Sequence, residues 1–433
     1  MNGNEALNRT YSQLMPLVQT EFLPEKNIPK DSALREDYEK LRITYELQRD
    51  IGAEIEIDSV LNRVLDRTFE FLKYDRAIIL LVDKKGKLKP RAHRNTSDEK
   101  KHLLSTTLIR HVLQKRKAII TSDILADNRF NMADSIRISG IRSSIAVPIL
   151  HQEEILGVII IESLKRFGAF TKKDLNLMIN IANHTAQFVK NSLLHEELRI
   201  SFNSAIRTLS AMVDARHPLT AGHSERVAKL SAYIAKEIGL SKNRIEALTY
   251  AALLHDIGKI GIPDKVLLKE GPFDSYERDE MNSHSIRTRK ILDNFHFPKT
   301  IRNVPEIAAL HHERLDGQGY PYGMSGNDLP LEAKIIAVAD VFDALTSRRD
   351  YPKYDETGKP INCSRMPLSD SIAIIEKEVG SHFDEEVVAA FIRALPRALR
   401  HFRGTHFEAE YIDEFIASRS SGNRALPDEL RQP

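Results

Sequence analysis

Histidines and aspartates in the second half of this 433-residue chain are the residues whose types and spacing could do chemistry. Seven of its 16 histidines fall between His217 and His312, several of them beside acidic residues. Neutral imidazole and carboxylate groups together suit first-row transition metals such as iron, manganese or zinc. The pattern therefore predicts a metal centre. Its candidate ligands are His223, His255, Asp256, His284, His311, His312 and Asp340.

The pair His255 and Asp256 is the strongest part of this pattern. It follows the apolar residues 251–254, which are predicted to be helical, and burying such a pair costs free energy unless something binds it. A carboxylate has two oxygens, so Asp256 could bridge two cations about 3.5–4 Å apart and stabilise displacement at phosphorus. Lys259 lies three residues further on, where it could contact a phosphate oxygen or protonate a departing alkoxide. These residues favour hydrolysis of a phosphodiester.

A glycine-rich loop at residues 313–321 follows the second histidine pair. Gly317 and Gly319 permit backbone conformations that other residues rarely adopt, and Pro321 stiffens the chain where it leaves the loop. Tyr320 could offer a flat face to a nucleobase. We therefore predict that this loop closes against a substrate.

Four longer stretches carry a family resemblance: residues 220–227, 254–263, 311–321 and 335–347. In this order they resemble the motifs of the HD-GYP family of cyclic di-GMP phosphodiesterases, a branch of the HD metal-dependent phosphohydrolases. The resemblance covers about residues 205–395. It implies an all-α domain that opens cyclic di-GMP to linear pGpG, with GMP as a further product left open. It also implies two divalent transition-metal ions, with iron or manganese preferred over zinc, nickel or cobalt.

The resemblance also implies a role for individual residues. One metal ion would take His223, His255 and Asp340. The second would take His284, His311 and His312. Asp256 would bridge the two ions, and Lys259 would assist at the phosphate. Substrate contacts are expected from Gly317, Gly319, Tyr320, Pro321, Asp343, Arg349 and Lys353.

Three features depart from the family pattern. Arg216 is followed by histidine where family members often have aspartate, and Leu219 stands where some members carry a glutamate that helps to hold a third metal. We therefore expect two metals. The family usually has a basic residue directly after Asp350 and Tyr351, whereas here Pro352 comes first and Lys353 follows it. Residues 353–367 look like an insertion that could reshape the substrate entrance.

The first half of the chain alternates between helical and strand-like segments. Strands are predicted at residues 76–83, 144–150 and 155–162, and helices at 51–72 and 172–190. Thr171 is a predicted N-cap. The stretches 74–83, 141–149 and 156–159 resemble a GAF domain, a sensor of α+β class with an antiparallel sheet. The resemblance implies an unknown small ligand or protein partner, and no constellation here indicates catalysis.

The predicted organisation is therefore multidomain. It comprises an N-terminal extension (1–40), a GAF-like sensor (41–190), a connecting helix (191–212), an HD-GYP-like domain (205–399) and a polar C-terminal tail (400–433). In the connecting helix, a coiled-coil seam is formed by Leu198, Phe202, Ala205, Leu209 and Met212. This seam could pair two subunits or pack onto the chain's own downstream domain. We favour a homodimer.

Composition limits the class of protein. With 42% hydrophobic and 29% charged residues the chain suits folded domains rather than disorder, and a net charge of +2 gives no reason to expect a nucleic-acid partner. The single cysteine, Cys363, excludes an internal disulfide and fits a reducing compartment. The apolar runs are too short to cross a membrane, so a cytoplasmic protein is expected.

Hydrolysis of cyclic di-GMP under control of the sensor is the function that we favour. Hydrolysis of a mixed cyclic GMP–AMP is an alternative that no residue separates from the first. A non-catalytic effector that binds a cyclic dinucleotide is supported by Pro352 and the insertion, and opposed by the intact ligand set and Lys259. Hydrolysis of free nucleotides is disfavoured by the Gly-Tyr-Pro loop.

Overall fold

A computed structural model describes most of the chain from residue 56 to residue 420. The described ranges are 56–96, 106–124, 140–216, 222–269, 271–347, 353–354, 360–361, 366–404 and 407–420. The predicted N-terminal extension lies outside them. The chain divides into two compact units, Met1–Arg199 and Ile200–Pro433. Within the described ranges, no helix combines the length and the apolar character that a membrane crossing requires.

In the first unit, the described residues form an antiparallel sheet with helices on both faces. The strands are β1 (Arg76–Val82), β2 (Leu88–Asn95), β3 (Ile119–Thr121), β4 (Ser143–His151) and β5 (Glu154–Ser163), in the spatial order β2-β1-β5-β4-β3. The helices are α1 (Ile57–Leu72), α2 (Thr106–Lys115) and the first part of α3 (Lys172–Arg216). The predicted α+β class is confirmed.

Strand β1 is buried on both faces because its side chains alternate between two cores. Ala77, Ile79 and Leu81 join the core formed with α1 and α3, whereas Ile78 and Leu80 join the core formed with α2. A strand that is covered on both sides is apolar throughout. This double burial explains why the segment has an uninterrupted apolar sequence.

Helix α3 begins with the predicted cap. The Thr171 hydroxyl accepts a hydrogen bond from the Asp174 backbone N–H at 3.3 Å, and the Asp174 carboxylate accepts one from the Thr171 N–H at 2.8 Å. This reciprocal pair satisfies two backbone donors that a helix start leaves without partners. The helix then continues without interruption for 45 residues to Arg216. The predicted sensor helix and connecting helix are therefore one element.

The predicted seam on α3 is divided between two environments. Phe202 and Leu209 pack against the core of the second unit, whereas Leu198 and Met212 are 66% and 58% exposed. Phe202 and Leu209 therefore follow the alternative in which the seam packs onto the chain's own domain, and the homodimer stays a prediction. Neighbouring apolar residues such as Ile206, which is fully buried, turn that side of the helix toward its own domain.

In the second unit the described secondary structure is almost all helical. The helices are α4 (His223–Ile238), α5 (Lys242–Leu254), α6 (Asp264–Leu267), α7 (Ser275–Asn282), α8 (His284–Leu292), α9 (Val304–Ala309), α10 (Leu331–Thr346), α11 (Leu368–Lys377), α12 (Glu385–Phe402) and α13 (Ala409–Ser420). Short 3₁₀ turns lie at Ile257–Gly261, Lys299–Ile301 and Gly326–Asp328. The two-residue strands β6 (Lys353–Tyr354) and β7 (Pro360–Ile361) pair within the predicted insertion.

The C-terminal segment corrects the prediction of a polar tail from Arg400. Helix α12 continues to Phe402, and α13 follows. Phe407, Ile412 and Phe415 are buried in the core of the second unit. These aromatic and aliphatic side chains bury apolar surface, which keeps the segment folded against the domain at least to Phe415.

Candidate metal centre

Helix ends bring most of the predicted metal ligands together. His223 and His284 are the first residues of α4 and α8, and His255 directly follows α5. His311 comes two residues after α9, and Asp340 lies within α10. Each side chain thus enters the interior where its helix begins or ends, or from a helix that is itself buried.

Helix α5 explains why the His255–Asp256 pair is so deeply placed. The C-terminal half of the helix is largely apolar, and its residues 250–254 are all buried. The chain that leaves it is therefore still inside the domain, where His255 is 0% and Asp256 4% exposed. Burying these polar groups costs free energy that a bound cation would offset.

The ligand atoms of the seven predicted residues form one continuous cluster. His223 Nε2 and His255 Nε2 lie 3.3 Å apart, and His284 Nε2 and His311 Nε2 lie 3.4 Å apart. His223 Nε2 is also 3.2 Å from Asp340 Oδ1. In each of three groups of residues, the ligand atoms lie within 4.8 Å of one another. These groups are His284, His311 and His312; His223, His255 and Asp256; and His255, His311 and Asp340.

The orientation of the histidine rings fits metal binding. The Nδ1 atoms of His255, His284 and His311 lie 2.8, 2.7 and 2.7 Å from backbone carbonyl oxygens three residues earlier. A bond to a carbonyl requires the proton on Nδ1, so the lone pair of Nε2 faces the cluster. Nε2 lone pairs that converge at 3.3–3.4 Å repel each other unless a cation or a proton lies between them.

Asp256 lies between the two groups of histidines. One oxygen, Oδ2, is 3.4 Å from His255 Nε2, and the other, Oδ1, is 3.4 Å from His284 Nε2. Oδ1 is buried and has no hydrogen-bond partner. A buried carboxylate oxygen of this kind fits a metal ligand. The Lys259 ammonium lies 2.5 Å from Oδ2 and is 23% exposed, so it sits at the rim of the cluster.

The charge states of the cluster also suit metal ions. Burial lowers the pKa of His311 and His284, and it lowers that of His312 to about 3, so these rings stay neutral. Burial acts to raise the pKa of Asp256, but the Lys259 ammonium and the nearby imidazoles outweigh it and hold the pKa well below its ordinary value. Neutral imidazoles and ionised carboxylates are the forms that bind divalent metals.

His223 differs from the other histidines in its electrostatics. Burial acts to lower its pKa, but hydrogen bonds with Asp340 and Asp343 outweigh it and raise the pKa to about 10. The two carboxylates thus favour positive charge at this position. A divalent cation bound by Nε2 would supply the same charge in place of the proton.

Comparison with known proteins agrees with this arrangement. The family model of the HD domain matches residues 207–387, and that of the GAF domain matches residues 56–189. This chain joins a GAF domain to an HD domain. The two resemblances noted in the sequence are confirmed at the level of these domains.

Curated relatives match this chain mainly in the HD domain. It is 38% identical over 190 residues to the 3'3'-cGAMP-specific phosphodiesterase 3 of Vibrio cholerae, covering 44% of this chain and 38% of the relative. It is 40% identical over 188 residues to a cyclic di-GMP phosphodiesterase of Thermotoga maritima, covering 43% of this chain and 48% of the relative. The chain therefore matches less than half the length of these relatives.

The position of the Asp343 carboxylate, next to the metal-ligand cluster, corrects one prediction. Asp343 was expected to contact substrate, but it is 4% exposed and its oxygens are already engaged. Oδ2 lies 2.8 Å from His223 Nδ1, and the Arg226 guanidinium donates to both oxygens at 2.6 and 2.9 Å. Asp343 therefore orients the His223 ring rather than a substrate. It lies one helical turn after Asp340, so its sequence position placed it near the metal ligands without showing what it contacts.

We expect Asp343→Asn to weaken metal binding while the fold is kept. The change removes the charge that holds the His223 ring and pairs with Arg226. Loss of such a supporting partner lowers metal affinity by about 10–100-fold. Competition with a chelator of known affinity measures the effect. Asp328→Asn, in an exposed 3₁₀ turn, is the control, and equal affinity in the two variants would show that Asp343 does not support the site.

The glycine-rich loop packs onto the metal ligands. The Tyr320 ring lies 4.7 Å from the His312 ring, and the Tyr320 N–H donates to the His312 carbonyl at 3.2 Å. Burial raises the pKa of Tyr320. Glu313 is buried and accepts hydrogen bonds from the backbone N–H groups of Tyr322 and Met324 at 2.6 and 3.0 Å. One face of Tyr320 is thus used to support His312.

Other predicted substrate residues are placed as follows. Gly317 adopts a positive φ of 75° in the turn of this loop, and Pro321 follows Tyr320 directly. Lys353 begins β6, and its side chain lies outside the described atoms. Arg349 lies outside the described residues. Their contacts with substrate stay predictions.

We expect Gly319→Ala to impair turnover. A Cβ at this position would lie 2.5 Å from both the Arg314 nitrogen and the Glu313 Cα, so the loop must move away from His312. Displacing a positioning element by about 1 Å can cost roughly 100-fold in rate. Steady-state kinetics on a cyclic dinucleotide measures the loss. The exposed neighbour Gln318→Ala is the control, and an unimpaired Gly319→Ala variant would contradict the role of the loop.

Sequence reasoning missed two supporting residues. Arg226 lies one turn after His223 on α4, a spacing that could have indicated it. Thr288 accepts a hydrogen bond from the Gly258 N–H and donates one to the His255 carbonyl, both at 2.9 Å. This second connection joins residues 30 or more positions apart, so no local pattern predicts it.

Proposed function

We propose that the HD domain is a metal-dependent phosphodiesterase that hydrolyses a cyclic dinucleotide, with cyclic di-GMP as the preferred substrate. The observation that carries the proposal is the buried histidine–aspartate cluster, in which the two oxygens of Asp256 face different histidines. Two divalent ions held there would supply Lewis acidity toward phosphate oxygens and an activated water. The names of the relatives support the substrate class.

The side chains of this site would have different roles according to their positions. Asp256 would bridge two ions, with His223, His255 and Asp340 on one side. His284, His311 and His312 would complete the other side. Lys259, at the rim and 2.5 Å from Asp256, would hydrogen-bond a phosphate oxygen or protonate the departing alkoxide. The products would be linear pGpG and, after a second cleavage, GMP.

The ligand types favour iron or manganese. The set contains imidazoles and carboxylates and no thiolate, which suits these ions and leaves zinc, nickel and cobalt as competitors. We propose two ions because the position that holds a glutamate in some family members is Leu219 in this chain. Metal analysis after anaerobic purification tests both points.

We propose that the GAF domain regulates this activity within a homodimer. Helix α3 runs from the GAF domain into the HD domain without a break. On α3, Leu198, Ala205 and Met212 are exposed and lie seven residues apart, which is the spacing of a coiled-coil seam. A second copy of α3 could cover them. Light scattering of the protein and of a Leu198→Glu variant tests the dimer.

A mixed cyclic GMP–AMP is the second candidate substrate, because three relatives in Vibrio cholerae are named as phosphodiesterases specific for it. Parallel reactions of the metal-loaded protein with each cyclic dinucleotide, followed by chromatography, separate the candidates. We expect a higher kcat/KM for cyclic di-GMP. Tight binding of both nucleotides without product would instead indicate a non-catalytic effector.

A further inference from the structure

The last residue of α3 binds the turn that carries Lys259. The Arg216 guanidinium donates to the carbonyl oxygens of Lys259 at 3.3 Å and of Ile262 at 2.8 Å, and also to that of Ile260. Its Nη2 atom lies 2.8 Å from an Asp264 carboxylate oxygen as well. One side chain thus holds four acceptors between residues 259 and 264. Such a forked contact is specific to arginine, because a lysine ammonium cannot reach the same acceptors together.

Helix α8 supports the opposite side of this turn. The Arg287 guanidinium donates to the Gly261 carbonyl at 2.9 Å. A Cβ on Gly258 would lie 2.0 Å from the His284 carbonyl oxygen, so the two backbones are in direct contact. The turn is therefore held between α8, which begins with a predicted metal ligand, and the C-terminal end of α3.

The position of the Lys259 ammonium depends on the backbone of this turn. Ile257–Gly261 is a 3₁₀ helix, in which side chains three residues apart lie above one another. This geometry places Lys259 over Asp256, with 2.5 Å between Nζ and Oδ2. Within the turn, the Lys259 N–H donates to the Asp256 carbonyl and the Ile262 N–H to the Lys259 carbonyl. Because so short a helix has few internal bonds, its geometry depends on outside partners.

We infer that Arg216 is a positioning residue that acts on catalysis through Lys259. The expected effect on turnover rests on the proposed function, whereas the contacts of Arg216 with the turn do not. Because α3 begins at Lys172 in the GAF domain and ends at Arg216, the same contact makes the end of that helix part of the support of the metal centre. A displacement of the C-terminal end of α3 would move the Arg216 guanidinium, and with it the turn that positions Lys259.

The test compares Arg216→Ala and Arg216→Lys with Arg207→Ala in the full-length protein. Arg207 lies on the same helix but pairs with Glu225, away from the turn. We expect Arg216→Ala to lower kcat by about 10–100-fold with KM changed by less than about threefold, as for a misplaced catalytic group. Arg216→Lys should recover part of the loss, and Arg207→Ala should match the wild type.

A double-mutant cycle with Lys259→Ala separates positioning from a general structural role. If Arg216 acts through Lys259, Arg216→Ala should cost less than about twofold in a chain that already lacks Lys259, because residues that act as a unit are not additive. The same loss in both backgrounds, or a loss of bound metal in Arg216→Ala alone, would overturn the inference.

Hydrogen exchange gives a readout that does not require activity. Backbone amides of residues 257–264 should exchange faster in Arg216→Ala than in the wild type, and should be unchanged in Arg207→Ala. Unchanged exchange in Arg216→Ala would overturn the inference even in an active enzyme. A wild type that hydrolyses neither cyclic dinucleotide would contradict the proposed function, and faster exchange would then still establish the contact.

Discussion

Replacing Asp256 by asparagine is expected to abolish both metal loading and phosphodiester hydrolysis. Asparagine has nearly the shape of aspartate, but it offers one neutral oxygen where two anionic oxygens face different histidines. Without the bridging charge, the imidazoles on the two sides cannot hold a pair of ions together. We expect almost no bound metal and no detectable turnover, because without the pair of ions the site supplies neither Lewis acidity at the phosphate nor an activated water.

Metal content and product formation are to be measured on the same anaerobic preparation. The control is Asp293→Asn, because Asp293 forms an exposed pair with Arg289 at the end of α8, away from the cluster. This control should load metal and turn over like the wild type. Full activity in Asp256→Asn would show that the two-metal account is wrong, whatever the metal content.

Replacing Lys259 by alanine is expected to give the second-largest loss, but by a different route. The Lys259 ammonium sits at the rim, 2.5 Å from Asp256 and 23% exposed, and it is not among the metal-binding groups. The variant should therefore keep its metal ions. Its kcat should fall by about 100- to 10,000-fold, the contribution of a positioned acid or base to a transition state.

The neighbouring Lys265→Ala is the matched control, because Lys265 is exposed on α6 only six residues further along the chain. It should leave both metal content and kcat unchanged. Retained turnover in Lys259→Ala would show that Lys259 does not act on the phosphate. Loss of bound metal in Lys259→Ala would instead show that Lys259 acts by supporting Asp256.

The metal ligands could be predicted from the sequence because their residue types and their positions beside helical segments indicate a buried site. The apolar run before His255 indicates a buried helix end, and a buried histidine–aspartate pair there has few explanations other than a cation. The role of Asp343 could not be predicted in the same way. Its residue type and spacing match a ligand or a substrate contact equally well, and the contacts of its oxygens with His223 and Arg226 depend on α4, which is distant in sequence.

Long-range contacts explain the other differences. In the sequence, Arg216 differs from the family pattern only in the histidine that follows it. Its hydrogen-bond acceptors lie 43 to 48 residues further along the chain, so no local pattern predicts them. The seam on α3 had correct coiled-coil spacing, but periodicity cannot tell a partner subunit from the chain's own domain. Phe202 and Leu209 packed against that domain, whereas Leu198 and Met212 stayed exposed.

The most direct test of a two-metal phosphodiesterase is to restore metal to the chelated protein in steps and follow hydrolysis of cyclic di-GMP by chromatography. We predict that product formation is absent without metal, rises as iron or manganese is added, and saturates at about two ions per chain. Linear dinucleotide should appear first. A protein that binds two ions and the nucleotide but releases no product, or one that turns over without metal, would contradict this prediction.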